Sequence, residues 1–454
     1  MGRQTESLPN VRVVSSRTSH AVRVAVLADS DTRWKWGALT ARRIAPGGRP
    51  TELSGFLLRG RATPTARQLD EVGASADDAP REVTGVAFLR ELREESYDVV
   101  VLALVGGAVQ AMLHGIAALG LTRRPAVVTG YVGVVYEKLS DGLLLRHGAD
   151  LVLANSRHDA QRFRAVYEGV GADAGSVTEA ALPFLGGERY VPETGRDTLV
   201  FAAQPSVPVT RADRAYLLRR LVEHARLHPR REVLLKLRSK PGEHTTHVEE
   251  FPYQRLAEKL PGGAPPNFRL VYGNMGEVLD RTDLLVTVSS TAALESLHRS
   301  IPTAILTDFG IREPLGNHHF IGSGCLASWD QLDGGGRPSA DPVWADRQGV
   351  AADGSYAAAF DEARARLTKL VATGELPAIA PYYTATTAPG YLPGLLARYH
   401  LAADGTPLPS SRTAQAETGG LRRVVREAVR GAARGAYRHG VQRVAPVIRR
   451  MGEL

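Results

Sequence analysis

The sequence predicts an α/β protein built from two doubly wound domains of similar size, with a basic amphipathic helix at its C-terminus. Three observations carry that expectation. Two successive series of short apolar runs read as buried strands, helical patterns fall between them at the spacing of parallel βαβ units, and an arginine stripe is confined to residues 421–454. A chain of 454 residues also exceeds the roughly 250–300 residues at which a single core stops growing.

Residues 1–20 are polar and aperiodic and are expected to be disordered. The first series opens with Val22–Ala28, too continuously apolar for a half-exposed strand. The polar, aromatic stretch Asp29–Gly37 reads as a loop that leads into a helical pattern. Strands follow at Tyr97–Val105, Ala126–Thr129 and Asp150–Ala154, with helices near 84–95, 108–119 and 157–168, giving an N-terminal domain over 21–190. Gly, Pro and charge at 186–197 read as the joint. The second series runs through Thr198–Ala203, Val233–Leu237, Phe268–Val271, Leu284–Val288 and Thr303–Leu306. Helices near 211–227, 253–260, 275–280 and 291–298 intervene, and the expected second domain covers 191–400. Within it 331–355 reads as a loop or excursion, and 356–373 and 389–400 as helices. Residues 401–420 read as a flexible linker to the tail at 421–454.

Composition excludes several classes. With 43% hydrophobic and 23% charged residues the chain is not a largely disordered one. The single cysteine, Cys325, excludes a disulfide framework and a cysteine-built zinc site. No run reaches the ~18 apolar residues of a membrane span, and the opening MGRQTESLPN lacks a signal-peptide core. A reducing cytoplasm is the expected compartment. The formal charge of +8 divides unevenly, because residues 421–454 hold nine arginines against two glutamates. The body is nearly neutral, so overall basicity is a weak argument for nucleic acid.

Chemistry-bearing residues gather where predicted strands end. After Leu284–Val288 come Ser289-Ser290-Thr291, and a helical pattern opens at once. Hydroxyls there cap the helix, and its free N–H groups and dipole form an anion site, although caps of this kind serve any helix. Glu295 lies one helical turn deeper, within reach of ribose hydroxyls. In an open α/β sheet, ligands sit at the carboxyl ends of the strands. Lys236, Arg238 and Lys240 follow Val233–Leu237 and suit a phosphate or diphosphate, a solvated charged loop being the plainer reading. Glu243, His244 and His247 resemble metal ligands, but they lack HExxH spacing and a further ligand cluster, and no metal is expected. Gln204, in Gln204-Pro205-Ser206-Val207-Pro208, either touches a base or sugar or forms a turn.

In the first half, Asp29-Ser30-Asp31 invites a metal-binding DxD reading, but its place after the first strand favours Asp31 or Asp29 as a substrate-binding group or base. Glu137, after the strand Ala126–Thr129, is a third candidate carboxylate. Gly106-Gly107 allows a helix start to approach a ligand. His318 or His319, in Asn317–Gly324, either touches a leaving phosphate or donor sugar or is simply exposed.

A strand–Ser-Ser–helix unit in the second of two Rossmann-like domains resembles the GT-B glycosyltransferases. The likeness extends to capsule and polysialic-acid-type transferases, including CMP-sugar-using sialyltransferases, and to an actinobacterial group of glycosyltransferases. In those enzymes a Ser-Ser pair grips the nucleotide phosphate, which matches Ser289 and Ser290, and a Gln-Pro follows the first strand of the second domain, which matches Gln204-Pro205. Their strand-following His-Pro is replaced by Lys236–Lys240-Pro241, so Arg238 or Lys240 must substitute for the histidine. The resemblance covers residues 22–400 and implies that the acceptor binds the first domain and a CMP- or UDP-linked sugar the second. It implies a carboxylate such as Asp31 or Glu137 as general base, with Ser289, Ser290, Thr291 and residues 236–240 stabilising the leaving phosphate without a required metal or other cofactor. The expected activity is sugar transfer to a cell-envelope polysaccharide or glycolipid; a nucleotide-sugar 2-epimerase and a non-catalytic nucleotide- or glycan-binding protein are the alternatives.

The tail supplies the last expectation. Arg422, Arg426, Arg430, Arg434 and Arg438 recur every four residues, opposite an Ala/Val-rich face. A basic amphipathic helix reads as binding an anionic membrane surface, at the inner face for a cytoplasmic protein. A solvated tail and an RNA-binding arm are the rivals, nucleic acid being the least favoured. Gly431, Gly435 and Gly440 weaken the helix.

Overall fold

The computed structural model describes residues 21–47, 49–60, 63–73, 79–134, 138–240, 243, 249–350 and 353–409. The expectations for 1–20, Glu137, His244, His247, most of the 401–420 linker and the 421–454 tail lie outside the described residues.

Two parallel sheets form, as the alternation of apolar runs and helical patterns predicts. The first holds β1 (Val22–Ala28), β2 (Thr51–Leu58), β3 (Arg81–Val83), β4 (Val99–Ala103), β5 (Ala126–Gly130), β6 (Leu151–Ala154) and β7 (Val177–Glu179), in spatial order β3-β2-β1-β4-β5-β6-β7. The second holds β8 (Thr198–Ala202), β9 (Glu232–Lys236), β10 (Phe268–Val271), β11 (Leu284–Thr287), β12 (Thr303–Leu306) and β13 (Leu326–Ala327), in order β10-β9-β8-β11-β12-β13. Every pairing is parallel. Central strands such as β4, β8 and β11 are buried throughout, because helices cover both faces of each sheet. Both sheets wind one way for three strands and then reverse. The reversals fall between β1 and β4 and between β8 and β11, which are the positions where such sheets bind ligands.

Three differences from the sequence expectation matter for the site. The stretch Asp29–Gly37 is not a loop: a helix spans Asp31–Arg43, and Ser30 caps it by accepting from the Arg33 N–H at 3.4 Å. Its polar residues open the helix while Trp34 and Trp36 enter the core. Strand β2 escapes the apolar pattern because its first half, Thr51–Gly55, is only partly buried. Lastly, the helices expected within 191–400 do not all stay with the second sheet. Phe360, Ala363 and Leu367 join the apolar cluster of the first sheet, and the helix Leu392–Ala397 packs on Gly106–Ala118.

The lobes meet through apolar contact. Ala293, Leu294 and Leu297, from the helix Ala292–His298 that follows β11, share one buried cluster with Leu182, Leu185 and Trp34 of the first lobe. Burial of this kind, at about 25 cal/mol per Å², holds the two sheets against each other without needing a polar partner for every atom. Among the described residues, no helix is long and apolar enough to cross a membrane.

Gly37 marks the closest approach of the first helix to the sheet. A β-carbon there would lie 2.7 Å from Val26 Cγ1 and 3.0 Å from Ala103 Cβ. Gly37→Val is therefore expected to destabilise the protein by about 1–3 kcal/mol, the usual cost of overpacking. Urea unfolding checks this, and an unchanged midpoint would contradict the packing.

Candidate active site

A cavity of about 430 Å³ opens between the carboxyl ends of the two sheets. Eight residues singled out in the sequence line it together: Asp31, Gln204, Lys236, Arg238, Ser289, Ser290, Thr291 and Glu295. The chain reaches this arrangement through the two reversal points, where neighbouring strands diverge and leave room for a ligand.

The second-lobe wall is built on a side-chain clasp. Gln204, just beyond β8, accepts from the Ser289 N–H through Oε1 at 3.0 Å and donates from Nε2 to Ser289 Oγ at 3.1 Å. Ser289 Oγ in turn donates to the Leu315 carbonyl at 2.5 Å. Ser289 and Gln204 thus spend their polar atoms on each other and on the frame. Ser290 Oγ accepts from the Ala292 N–H at 3.2 Å, a capping bond. Thr291 makes no capping bond and lines the cavity, close enough to the first lobe that a β-carbon at Gly133 would sit 3.2 Å from its Oγ1.

Arg214, in the helix Arg211–Leu227, holds the Gln204 loop. It is fully buried, stacks on Tyr253 at 4.2 Å, and donates to the carbonyls of Gln204 (3.2 Å), Pro205 (3.1 Å) and Phe251 (2.8 Å). Glu249 pairs with it, and burial still pushes that carboxyl up to about 7. Nothing in the sequence separates Arg214 from the other arginines of its helix.

Opposite the clasp lie the basic groups. Lys236 ends β9, is 9% exposed, and donates from Nζ to the Leu237 carbonyl at 2.8 Å. Burial pulls its ammonium down to about 8, against the attraction of Glu71 and Glu295. Arg238 reaches across the cleft, donating from Nη2 to Asp31 Oδ1 at 2.6 Å and to Thr32 Oγ1 at 2.5 Å. Glu295 is buried beneath, and desolvation raises its carboxyl while Lys35, Arg299 and Lys236 hold it back. Glu71, which the sequence reading missed, also lines the cavity and accepts from the Gly273 N–H at 2.9 Å.

Three candidates stand outside this cavity. Asp29 accepts from Arg33 Nη1 at 2.9 Å and from the Val105 N–H at 3.0 Å, so it braces the ends of β1 and β4. Lys240 is exposed, with Nζ 5.9 Å from the Tyr272 ring centre. His318 lines a separate cavity with His158, Arg162 and His319. Of the metal-like residues, Glu243 pairs with Arg67 and accepts from the Lys240 N–H at 2.7 Å.

A different group brings three ligand-type side chains, His224, His228 and Asp333, within 4.8 Å of one another. Arg231 Nη1 lies 3.0 Å from His224 Nε2, and Arg220 Nη2 donates to Asp333 at 2.8 Å. Two guanidiniums already serve this group, which makes it an ion-pair network.

A family model described as "Putative glycosyltransferase (DUF6716)" matches residues 24–370. No curated protein matches the chain. Among solved structures, a UDP-N-acetylglucosamine 2-epimerase is similar at 12% identity and TM-score 0.50, covering 79% of this chain and 98% of its own. The UDP-GlcNAc 2-epimerase of Neisseria meningitidis, bound to UDP-GlcNAc, is similar at 10% identity and TM-score 0.48, covering 77% of this chain and 98% of its own. The glycotransferase of kitacinnamycin is similar at 14% identity and TM-score 0.41, covering 78% and 96% respectively. At such identities the likeness is one of fold.

The buried lysine yields a test with a defined sign. Folded Lys236 loses its proton near pH 8, whereas an unfolded lysine does so at about 10.4. Its charge therefore costs about 3 kcal/mol of stability below pH 8, a cost that disappears as pH rises toward about 10.4. Lys236→Met is expected to be more stable than the parent at pH 7, with the difference shrinking between pH 8 and about 10.4. Thermal unfolding across that range checks it. A variant less stable at pH 7 would show that Lys236 is held by its neighbours more strongly than burial opposes it.

Proposed function

The chain belongs to this glycosyltransferase family, and we propose that it moves a sugar from a nucleotide-sugar donor, bound by the second lobe, to an acceptor hydroxyl presented by the first. One observation carries the reading: Asp31 of the first lobe and Arg238 of the second meet inside the cavity, a carboxylate facing a phosphate-type ligand group. Thr291, Ser290, Lys236 and Arg238 hold the donor phosphate, and Glu295, a turn into the helix, takes the ribose hydroxyls. Asp31 is the general base. While Arg238 is bonded to Asp31 Oδ1, that oxygen is occupied. A donor phosphate offers the guanidinium a bidentate partner and releases the carboxylate.

The acceptor hydroxyl then attacks the anomeric carbon and gives its proton to Asp31. The bond from that carbon to the phosphate oxygen breaks, and the departing charge falls on Lys236, Arg238 and the Thr291 hydroxyl. This scheme needs no metal. A cytidine or uridine nucleotide, an envelope glycan or glycolipid as acceptor, and an inner-membrane surface for residues 421–454 complete the proposal.

A thermal-shift screen of CMP, UDP, GDP and TDP is expected to show selective stabilisation by one nucleotide, lost in Ser290→Ala combined with Arg238→Ala. Asp31→Asn is expected to keep that stabilisation and to lower turnover about 10²–10⁴-fold. Intact binding and turnover in the double variant would sink the proposal. Isomerisation of a nucleotide sugar with no acceptor present would replace it by the epimerase reading. Co-sedimentation with anionic liposomes is expected for the full chain and not for one lacking 412–454; equal behaviour removes the membrane role.

A further inference from the structure

Two helices, one from each lobe, present matching turns to the cavity. On the helix Asp31–Arg43, Asp31 and Lys35 are four residues apart and share a face. At the start of the helix Ala292–His298, Thr291 and Glu295 do the same. All four line the cavity, and so does Phe184, which packs against the apolar cluster that joins the lobes. Sugar transfer as proposed employs Asp31, Thr291 and Glu295, while Lys35 and Phe184 have no part in it.

Lys35 and Glu295 are opposite charges that do not pair. Glu295 is 8% exposed, and among the described residues its carboxylate makes no hydrogen bond and no ion pair. Folded proteins rarely leave a buried carboxylate without a donor, because its desolvation is then uncompensated. Burial raises that carboxyl, and Lys35 opposes the rise more strongly than Arg299 or Lys236 does. The two weaker cations are committed elsewhere. Arg299 donates to the Gly186 carbonyl at 2.7 Å and pairs with Asp280, and Lys236 donates to the Leu237 carbonyl. Lys35 is half-buried and, among the described residues, likewise makes no hydrogen bond or ion pair. Its Nζ lies 5.1 Å from the centre of the Phe184 ring. One lining thus holds a carboxylate that can only accept, an ammonium that can only donate, and an aromatic ring alongside.

Neighbouring hydroxyls of a sugar ring satisfy all three. One hydroxyl donates to the carboxylate, the next accepts from the ammonium, and the C–H face of the ring covers the phenyl group. A simple anion would meet repulsion from Glu295, and a simple cation would meet it from Lys35. We propose that Lys35, with Phe184, is a specificity-determining residue that shares a vicinal diol of the donor with Glu295. The inference rests on the donor reading above. The diol belongs to the donor's ribose or to the sugar it carries. In either case the first lobe helps to recognise a donor that the second lobe binds.

Calorimetric titration of the full chain with UDP, 2′-deoxy-UDP and UDP-glucose, and with the matching cytidine compounds, tests this. Lys35→Met is expected to weaken binding about tenfold or more for compounds that carry the diol, and to leave those without it unchanged. If the diol is ribose, UDP loses affinity in the variant and 2′-deoxy-UDP does not. If it is the carried sugar, UDP-glucose loses affinity and UDP does not. Glu295→Gln is expected to repeat whichever pattern appears, and it keeps the test open should Lys35→Met fail to fold. Equal loss for all three compounds would make Lys35 a general electrostatic or structural support and overturn the proposal. Loss for none, or a different pattern in Glu295→Gln, would overturn it equally. A parent that binds none of the compounds removes the donor reading and this inference together, whereas binding that is blind to Lys35 removes this inference alone.

Discussion

A carboxylate of one lobe and a guanidinium of the other meet at 2.6 Å, and the cleft is organised around that contact between Asp31 and Arg238. It exists because two sheets of the same winding turn their carboxyl ends toward one space. The distance is set elsewhere, by the apolar seam in which Leu294 and Leu297 pack with Leu182 and Leu185. A partly buried ion pair gains little net stability, since desolvation offsets most of the attraction. Its effect is to set a carboxylate and a guanidinium from opposite lobes side by side in the cavity lining.

The fold was legible wherever burial is two-sided. Strands such as β4, β8 and β11 announce themselves because water touches neither face, so apart from Thr198 and Thr287 every residue is apolar. Strand β2 obeys another rule: Gly55 is small because Trp34 lies against it, with a β-carbon there only 2.5 Å from the ring, and that partner lies outside the local pattern. The helix Asp31–Arg43 was hidden by its composition, since cleft-facing polar residues and core-facing tryptophans together look like a loop. The helix Pro342–Arg347 was hidden by the surrounding Gly, Pro and Asp, although Asp341 caps it by accepting from the Trp344 N–H at 2.8 Å. The return of 361–397 to the first sheet rests on long-range apolar packing, to which periodicity is blind.

The candidate site was legible as a set and illegible in its division of labour. Hydroxyls after a strand do mark a cavity wall, but Ser289 serves a partner 85 residues away in sequence, and only the folded sheet brings Gln204 beside it. Arg214 and Glu71 carry no motif, because a residue that holds a loop or accepts a backbone N–H needs only to be in the right place. His318 shows the converse. It is two residues from Gly316, which lines the cavity at the strand ends, yet the turn carries it into a different one.

The two reversal points are closed in the same way. In each, a side-chain oxygen just past the first strand accepts a backbone N–H just past the fourth. In the first sheet this is Asp29 and Val105, at 3.0 Å; in the second it is Gln204 and Ser289, also at 3.0 Å. The bond is the same and the charge is not. A carboxylate at the reversal point sets a negative field where a phosphate would have to enter, and Arg33 at 2.9 Å neutralises it only locally. An amide in the equivalent place adds no charge, and the field there is set by Lys236 and Arg238 against Asp31, Glu71 and Glu295, which line the same cavity. Topology repeats one bond at both reversal points, and the exchange of one carboxylate for one carboxamide gives the two ends of a single cleft different local charge.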